Sequence, residues 1–444
     1  MNAVTANSTR DTTRQLQRAL YLAAKRSAGR RFHVLYDKVF RKDILARAWA
    51  EVKANKGAAG VDGQTLADIE ARGVDTFLAE VQAELLARRY RPLAVRRVYI
   101  PKPDKPNERR PLGIPGVKDR VVQQATKLVL EPIFEADFRE CSFGFRPRRT
   151  AHKALERIRV AVNAGSRWVV DADVRSFFDE IDHEVLLRLV RRRVSDRQVL
   201  KLIGYWLRAG VMEEGNVRTV TAGTPQGGVI SPLLANIVLH ELDRVWEDRC
   251  GHLGVLVRYA DDFVVVCRSE ADALESRRRL ALMLERLHLQ MHPDKTRIVD
   301  LTDGVAGFDF LGFHHRLKES WRWRGRWYVH KWPSTRAMNA IRQKVKEVLA
   351  PRWLLPTSLA DRVKAVNPLI RGWGQYFRVG TSTAKFEAMD RYVVQRFAVF
   401  LRNKHQWRAL GLSSSRVHNE LAAAGLYRLS GTVRYSSVMA NARQ

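Results

Sequence analysis

Two adjacent carboxylates, Asp261 and Asp262, follow Tyr259-Ala260 and sit between the apolar runs Val255-Leu256-Val257 and Phe263-Val264-Val265-Val266. The pattern predicts a strand, a tight turn and a second strand, with both carboxylates forced to the tip. Carboxylates fixed this close repel one another and lose hydration, so the pair calls for a cation. A hard divalent ion such as Mg²⁺, bound through oxygen, is the natural partner, and metal-assisted phosphoryl chemistry is the implied use.

Charge narrows the partners. The chain carries 78 Lys and Arg against 47 Asp and Glu, formally +31 over 444 residues. Such an excess favours a polyanion. A generic basic surface or an anionic lipid would also accept it, but aromatic residues interleaved with the cations favour nucleic acid. Cys141, Cys250 and Cys267 form no CxxC pair, which argues against a zinc ribbon or a disulfide framework. No apolar run approaches the roughly 20 residues that span a bilayer, so no membrane partner is expected. The polar N-terminus lacks a secretory apolar core, and a cytoplasmic protein is expected.

Helical spacing recurs from Gln15 to Val52, near Thr65, from Phe77 to Ala87 and from Asp119 to Phe134. Between the last two, Arg96–Ile100 and Arg109–Ile114 read as a hairpin whose turn runs from Pro101 to Asn107. Trp168 to Val174 reads as a strand that ends near Asp173, between helices over Ala151–Ala164 and His183–Arg193. Ser231-Pro232 opens a helix to Trp246, and another covers Glu270–Leu287. From Arg316 to Ala350 ten basic residues face two acidic ones, which marks a boundary; helices follow over Val363–Ile370, Phe386–Leu401 and Val417–Leu426.

Asp171, Asp173 and Asp179 form a second acidic cluster. Strand-end and helix-capping acids would account for them as well. If their strand neighbours the hairpin, however, Asp173 reaches the same cation as Asp261. Two Mg²⁺ ions roughly 3.5–4 Å apart can activate a 3′-hydroxyl and stabilise a leaving pyrophosphate. Asp262 would ligate directly or tune the site from behind.

Asp173 with Phe177-Phe178, the loop Pro225-Gln226-Gly227, Tyr259-Ala260-Asp261-Asp262 and Phe310-Leu311-Gly312-Phe313 follow the order of reverse-transcriptase motifs. The chain resembles bacterial group II intron-encoded reverse transcriptases and maturases over about Asn55 to Gly425. The resemblance implies an α+β right-hand polymerase, with fingers, a ferredoxin-like palm and a helical thumb or maturase domain. It implies metal-binding Asp173, Asp261 and Asp262, with the Val174 carbonyl as an extra ligand for two Mg²⁺ ions (Mn²⁺ a possible substitute). Lys295 matches a lysine that protonates pyrophosphate. Phe178 matches the steric gate against a 2′-hydroxyl, although a core phenylalanine is an equal reading. Gln226 and Gly227 match the loop at the templating base, where glycine would let backbone approach a ligand. Lys102 and Arg110 match cations around the triphosphate, or are solvated hairpin charges.

Trp321-Arg322-Trp323-Arg324-Gly325-Arg326-Trp327-Tyr328 alternates rings and cations, as stacking on bases and pairing with phosphates would require. With Lys331 and Arg371 these residues are the candidate RNA-binding set; an exposed strand packing its tryptophans is the alternative. The expected divisions are residues 1–70, an N-terminal extension with helical fingers; 71–320, fingers and palm; 321–425, the thumb/maturase domain; and 426–444, a short tail. No His- and Cys-rich endonuclease segment is expected. The implied partners are intron RNA, an RNA template with DNA primer, target DNA and dNTPs. A non-polymerising maturase and a domesticated enzyme of phage defence or a CRISPR system are the competing readings.

Overall fold

The computed structural model describes residues 3–102, 105–213, 216–218, 223, 227–320, 323–405 and 414–434. The chain divides into two compact units. The first comprises residues 1–154 and 170–298, the second 155–169 and 299–444.

Helices dominate the start of the first unit, over Ala3–Arg26, Lys42–Ala54 and Val74–Leu86. The helix expected near Thr65 spans Leu66–Arg72, and Thr65 and Asp68 cap it reciprocally. Strands β1 (Val95–Lys102), β2 (Lys105–Ile114), β4 (Val211–Glu213) and β5 (Asn216–Arg218) form one sheet in the order β2-β1-β4-β5. The β1–β2 turn is tighter than Pro101 to Asn107, because both strands continue past Pro101 and Pro106. Pro106 is tolerated there because β2 is an edge strand. The helix Val117–Glu135 that follows is buried along nearly its whole length.

The second sheet holds β3 (Trp168–Asp173), β6 (Gly254–Tyr259), β7 (Asp262–Cys267) and β8 (Arg297–Asp300), in the order β6-β7-β3-β8. Leu256, Val257 and Phe263 to Val266 are all buried, so this hairpin is a core element that carries its polar tip outward. Residues 141–143 run beside β6: Arg258 N donates to the Cys141 carbonyl and Phe143 N to the Arg258 carbonyl, both at 2.8 Å.

In the second unit β9 (Gly307–Phe310), β10 (Phe313–Glu319) and β11 (Trp327–Pro333) form an antiparallel sheet in the order β11-β10-β9. The compositional break at Arg316 therefore falls inside a strand, since Arg316 pairs with His330 across the β10–β11 ladder. Helices Thr335–Leu349, Leu359–Phe377, Thr383–His405 and Ser414–Ala423 follow. Met338, Ile341, Val345 and Leu349 bury one face of the first, Phe386, Met389, Val393, Phe397 and Phe400 one face of the third. Among the described residues no helix is long and apolar enough to cross a membrane.

Candidate active site

The β6–β7 register pairs Tyr259 with Asp262, leaving Ala260 and Asp261 as a two-residue turn. Ala260 takes a left-handed φ of +58°, which lets the chain reverse within two residues. Strand β7 neighbours β3, and Asp173 is the last residue of β3. Residues far apart in sequence thus meet at one end of one sheet.

The carboxylates there feel one another. Loss of hydration raises the Asp261 pKa, Asp173 adds to it, and Arg110 and Lys295 pull it down. The Asp262 pKa is raised by loss of hydration and by the carboxylates of Asp261, Asp173 and Asp171, while the residue itself stays exposed at the tip of β7. Lys295 donates to Asp173 Oδ2, and Arg297 Nε donates to Asp171 Oδ2 at 3.0 Å. Arg110, on β2, faces Asp261 closely enough to stabilise its charge.

Among the described residues no three His, Cys, Asp or Glu side chains already stand at metal-cluster spacing. The Lys295 ammonium instead pairs with Asp173. The donor set still suits a hard divalent cation: it is all oxygen, and the carboxylates of Asp261, Asp173 and Asp171 crowd that of Asp262. Asp173, Asp261 and Asp262 are the side chains placed to hold it. Val174 bridges to Met291 through Arg175 N to the Gln290 carbonyl, 2.9 Å, and His292 N to the Asp173 carbonyl, 2.8 Å. That pattern leaves the Val174 carbonyl out of the pairing.

Phe177 is buried, and Phe178 is half-buried with its ring 5.3 Å from that of Phe177, edge to face. Gly227 has φ +111°, and a Cβ there would lie 2.4 Å from the Gly113 carbonyl oxygen. Its small size thus serves a close approach to the fingers hairpin, where the sequence suggested a ligand. Gln226 and the side chain of Lys102 lie outside the described residues.

Sequence reasoning missed the support beneath the turn. Arg258, on β6, has no exposed surface, and neither does Asp243. Arg258 Nε donates to Asp243 Oδ1 at 2.7 Å and Nη2 to Ser142 Oγ at 2.7 Å. Its Nη1 reaches Asn236 Oδ1 at 3.0 Å and the Ala260 carbonyl at 2.9 Å. Burial works against this guanidinium's charge, and Asp243 more than offsets it. One arginine therefore ties the left-handed residue of the turn to two helical side chains and the 141–143 segment. The signal was a single charge in the run Val255-Leu256-Val257-Arg258.

In the second unit, Trp323 is 39% exposed and the Arg326 guanidinium lies 6.0 Å from its ring centre. Arg324 is exposed; Arg371 is exposed and lies 4.9 Å over the Tyr427 ring. Trp321 and Arg322 lie outside the described residues. Lys331 is a correction: it is buried, its ammonium 5.9 Å from the Phe313 ring centre, and burial lowers its pKa. Its register position on β11, opposite buried His315, turns the side chain into the core.

Residues 100–315 match the family model for reverse transcriptase (RNA-dependent DNA polymerase), and residues 338–416 that for the group II intron, maturase-specific domain. With the carboxylate-tipped hairpin these matches define a right-hand polymerase with fingers, palm and helical thumb: a reverse transcriptase, an RNA-directed DNA polymerase. More particularly, the chain belongs to the group II intron-encoded reverse transcriptase and maturase family. Protein YkfC of Escherichia coli is 36% identical over 341 residues, 68% of this chain and 87% of that one. The group II intron-encoded protein LtrA of Lactococcus lactis is 39% identical over 214 residues, 48% of this chain and 35% of that one. A solved partial Cas6-RT-Cas1–Cas2 complex is 26% identical, covering 56% of this chain and 42% of that one, with a TM-score of 0.36. Divalent metal ions, template and primer strands, and intron RNA are what membership of this family implies.

Proposed function

We propose that the protein extends a DNA primer on an RNA template with two Mg²⁺ ions, and binds group II intron RNA to assist its splicing. Mn²⁺ would substitute. The observation that carries this reading is the meeting of Asp173 with the Asp261-Asp262 turn on adjacent strands. Bound divalent metal supplies Lewis-acid chemistry: a more acidic 3′-hydroxyl and a stabilised pyrophosphate. Arg110 and Lys102 pair with the triphosphate, and Lys295, freed from Asp173, hands a proton to the departing pyrophosphate. Phe178 blocks a 2′-hydroxyl and so favours dNTPs, while Gln226 and Gly227 line the templating position. Trp321, Arg322, Trp323, Arg324, Arg326 and Arg371 hold RNA through stacking and phosphate pairing.

Intron mobility by target-primed reverse transcription, on DNA that supplies the primer, follows from the same activity in the bacterial cytoplasm. Splicing chemistry belongs to the RNA, and the protein stabilises its folded form. Primer extension on an RNA template, with and without Mg²⁺, tests the polymerase, with Asp261→Ala as the control. Extension by that variant at the wild-type rate overturns the site. Splicing of the cognate intron at low Mg²⁺, with and without protein, tests the maturase.

A further inference from the structure

Phe145 is in a costly position twice over. Its φ is +54°, a left-handed conformation that a bulky residue rarely adopts, and the residue is 53% exposed. Strain of this kind persists only where the surroundings impose it, and it concentrates at functional sites. The surroundings here are explicit. Arg146, next in the chain, is 7% exposed, donates to Glu135 at 2.9 and 2.7 Å and to the Ser142 carbonyl at 2.8 Å. On the other side, a Cβ at Gly144 would lie 2.3 Å from Ala260 N, so the two backbones are in contact. The Gly144 carbonyl accepts from Asn236 Nδ2 at 2.9 Å, and Asn236 also accepts from Arg258. The loop and the aspartate turn are thus locked to one scaffold, and the exposed ring is the residue next to the contact.

The ring's side of the site is also defined. Asp173 and its partner Lys295 lie on the β3 side of the hairpin, and Arg110 faces Asp261. Gly144 touches Tyr259 and Ala260, at the β6 edge away from β3. Phe145 therefore lies off the cationic, triphosphate side, with exposed Arg148 three residues on. We infer that Phe145 is a nucleic-acid contact, packing its ring against the end of the primer–template duplex beside the aspartate turn. The inference rests on the polymerase reading and deepens it.

Full-length Phe145→Gly, Phe145→Ala and Phe145→Tyr proteins test it, by anisotropy binding of a DNA-primed RNA template, dNTP KM and thermal melting. Phe145→Gly is expected to melt at or above the wild-type temperature, because glycine tolerates the φ. It should nevertheless bind the duplex about tenfold more weakly, with dNTP KM nearly unchanged. Phe145→Ala should lose duplex affinity likewise, and Phe145→Tyr should restore it. Wild-type duplex affinity in both the Gly and Ala variants overturns the inference, as does a loss confined to dNTP KM. Failure of the polymerase reading has a separate signature, absence of primer extension by the wild type whatever Phe145 does to duplex binding.

Discussion

Arg258 and Arg371 are the same side chain put to opposite uses. In the first unit Arg258 is fully buried, with its donors engaged by Asp243, Asn236, Ser142 and the Ala260 carbonyl. Arg146 repeats the pattern against Glu135. In the second unit Arg371 lies exposed over Tyr427, and Arg326 beside exposed Trp323. Each of these buried guanidinium groups is matched by a carboxylate, so the formal +31 stands, but fewer of the 78 cations are exposed to a polyanion. Buried guanidinium holds the backbone around the site; exposed guanidinium is left available to a polyanion.

If that division is right, substitutions in the two units should fail in different assays. Asp261→Asn should lower primer extension by roughly 10³-fold or more, since the charge that holds the cation is gone. Binding of intron RNA, measured by filter retention, should stay within about twofold; a parallel fall in RNA affinity would break the comparison. Next in size, Arg258→Met should cost about 3–5 kcal/mol in urea unfolding, because Asp243 is left buried and uncompensated. Arg258→Met combined with Asp243→Leu should recover part of that stability. Its primer extension should stay low, because the Ala260 carbonyl has still lost its donor.

The hairpin was legible because its information is local: apolar runs, a short turn and two acids. Asp173 was legible through its place at a strand end, and only the sheet order brings it to Asp261. Lys331 was misread because alternation of rings and cations does not say which face of a strand is inward; pairing with His315 decides that. Gly227 has a further reason for its size, the close approach of its backbone to the Gly113 carbonyl, a tertiary contact no local pattern announces. The helix Arg197–Arg208 is absent from the sequence reading, although Asp196 caps it and Val199, Leu202, Ile203, Trp206 and Leu207 recur at helical spacing. Arg258 shows the useful rule: a lone charge inside an apolar strand asks what it is buried against.

A buried acid held by a phenol and a backbone amide sharpens the comparison. Asp119 is 2% exposed; Tyr90 Oη donates to it at 2.7 Å and Leu93 N at 3.1 Å. Loss of hydration raises its pKa to about 6, with Lys118 lowering and Asp62 raising it. The folded state then holds a proton the unfolded chain has released, so this residue's contribution falls as pH rises from about 4 to 6 and is level above. Asp119→Asn should remove that slope, worth about 2–3 kcal/mol. Urea midpoints at pH 4.5 and 7 measure it. An unchanged difference between the two pH values would mean that Asp119 is charged throughout, like the acids paired with arginine.

The smallest expected effect bears on the exposed half of the comparison. Each phosphate contact made by a cation adds a roughly fixed increment to the salt dependence of binding, about 0.7 in slope for single strands. Arg324→Ala with Arg326→Ala should therefore reduce the slope of log affinity against log salt for intron RNA by about 1 to 1.5. Lys331→Met should leave the slope alone, because that ammonium is buried against Phe313. Both proteins should extend a short primer on a simple template at near wild-type rate. Equal losses of slope from Arg324/Arg326 and from Lys331 would show that exposure does not decide which cations meet the RNA. The contrast between buried and exposed charge would then lose its functional meaning.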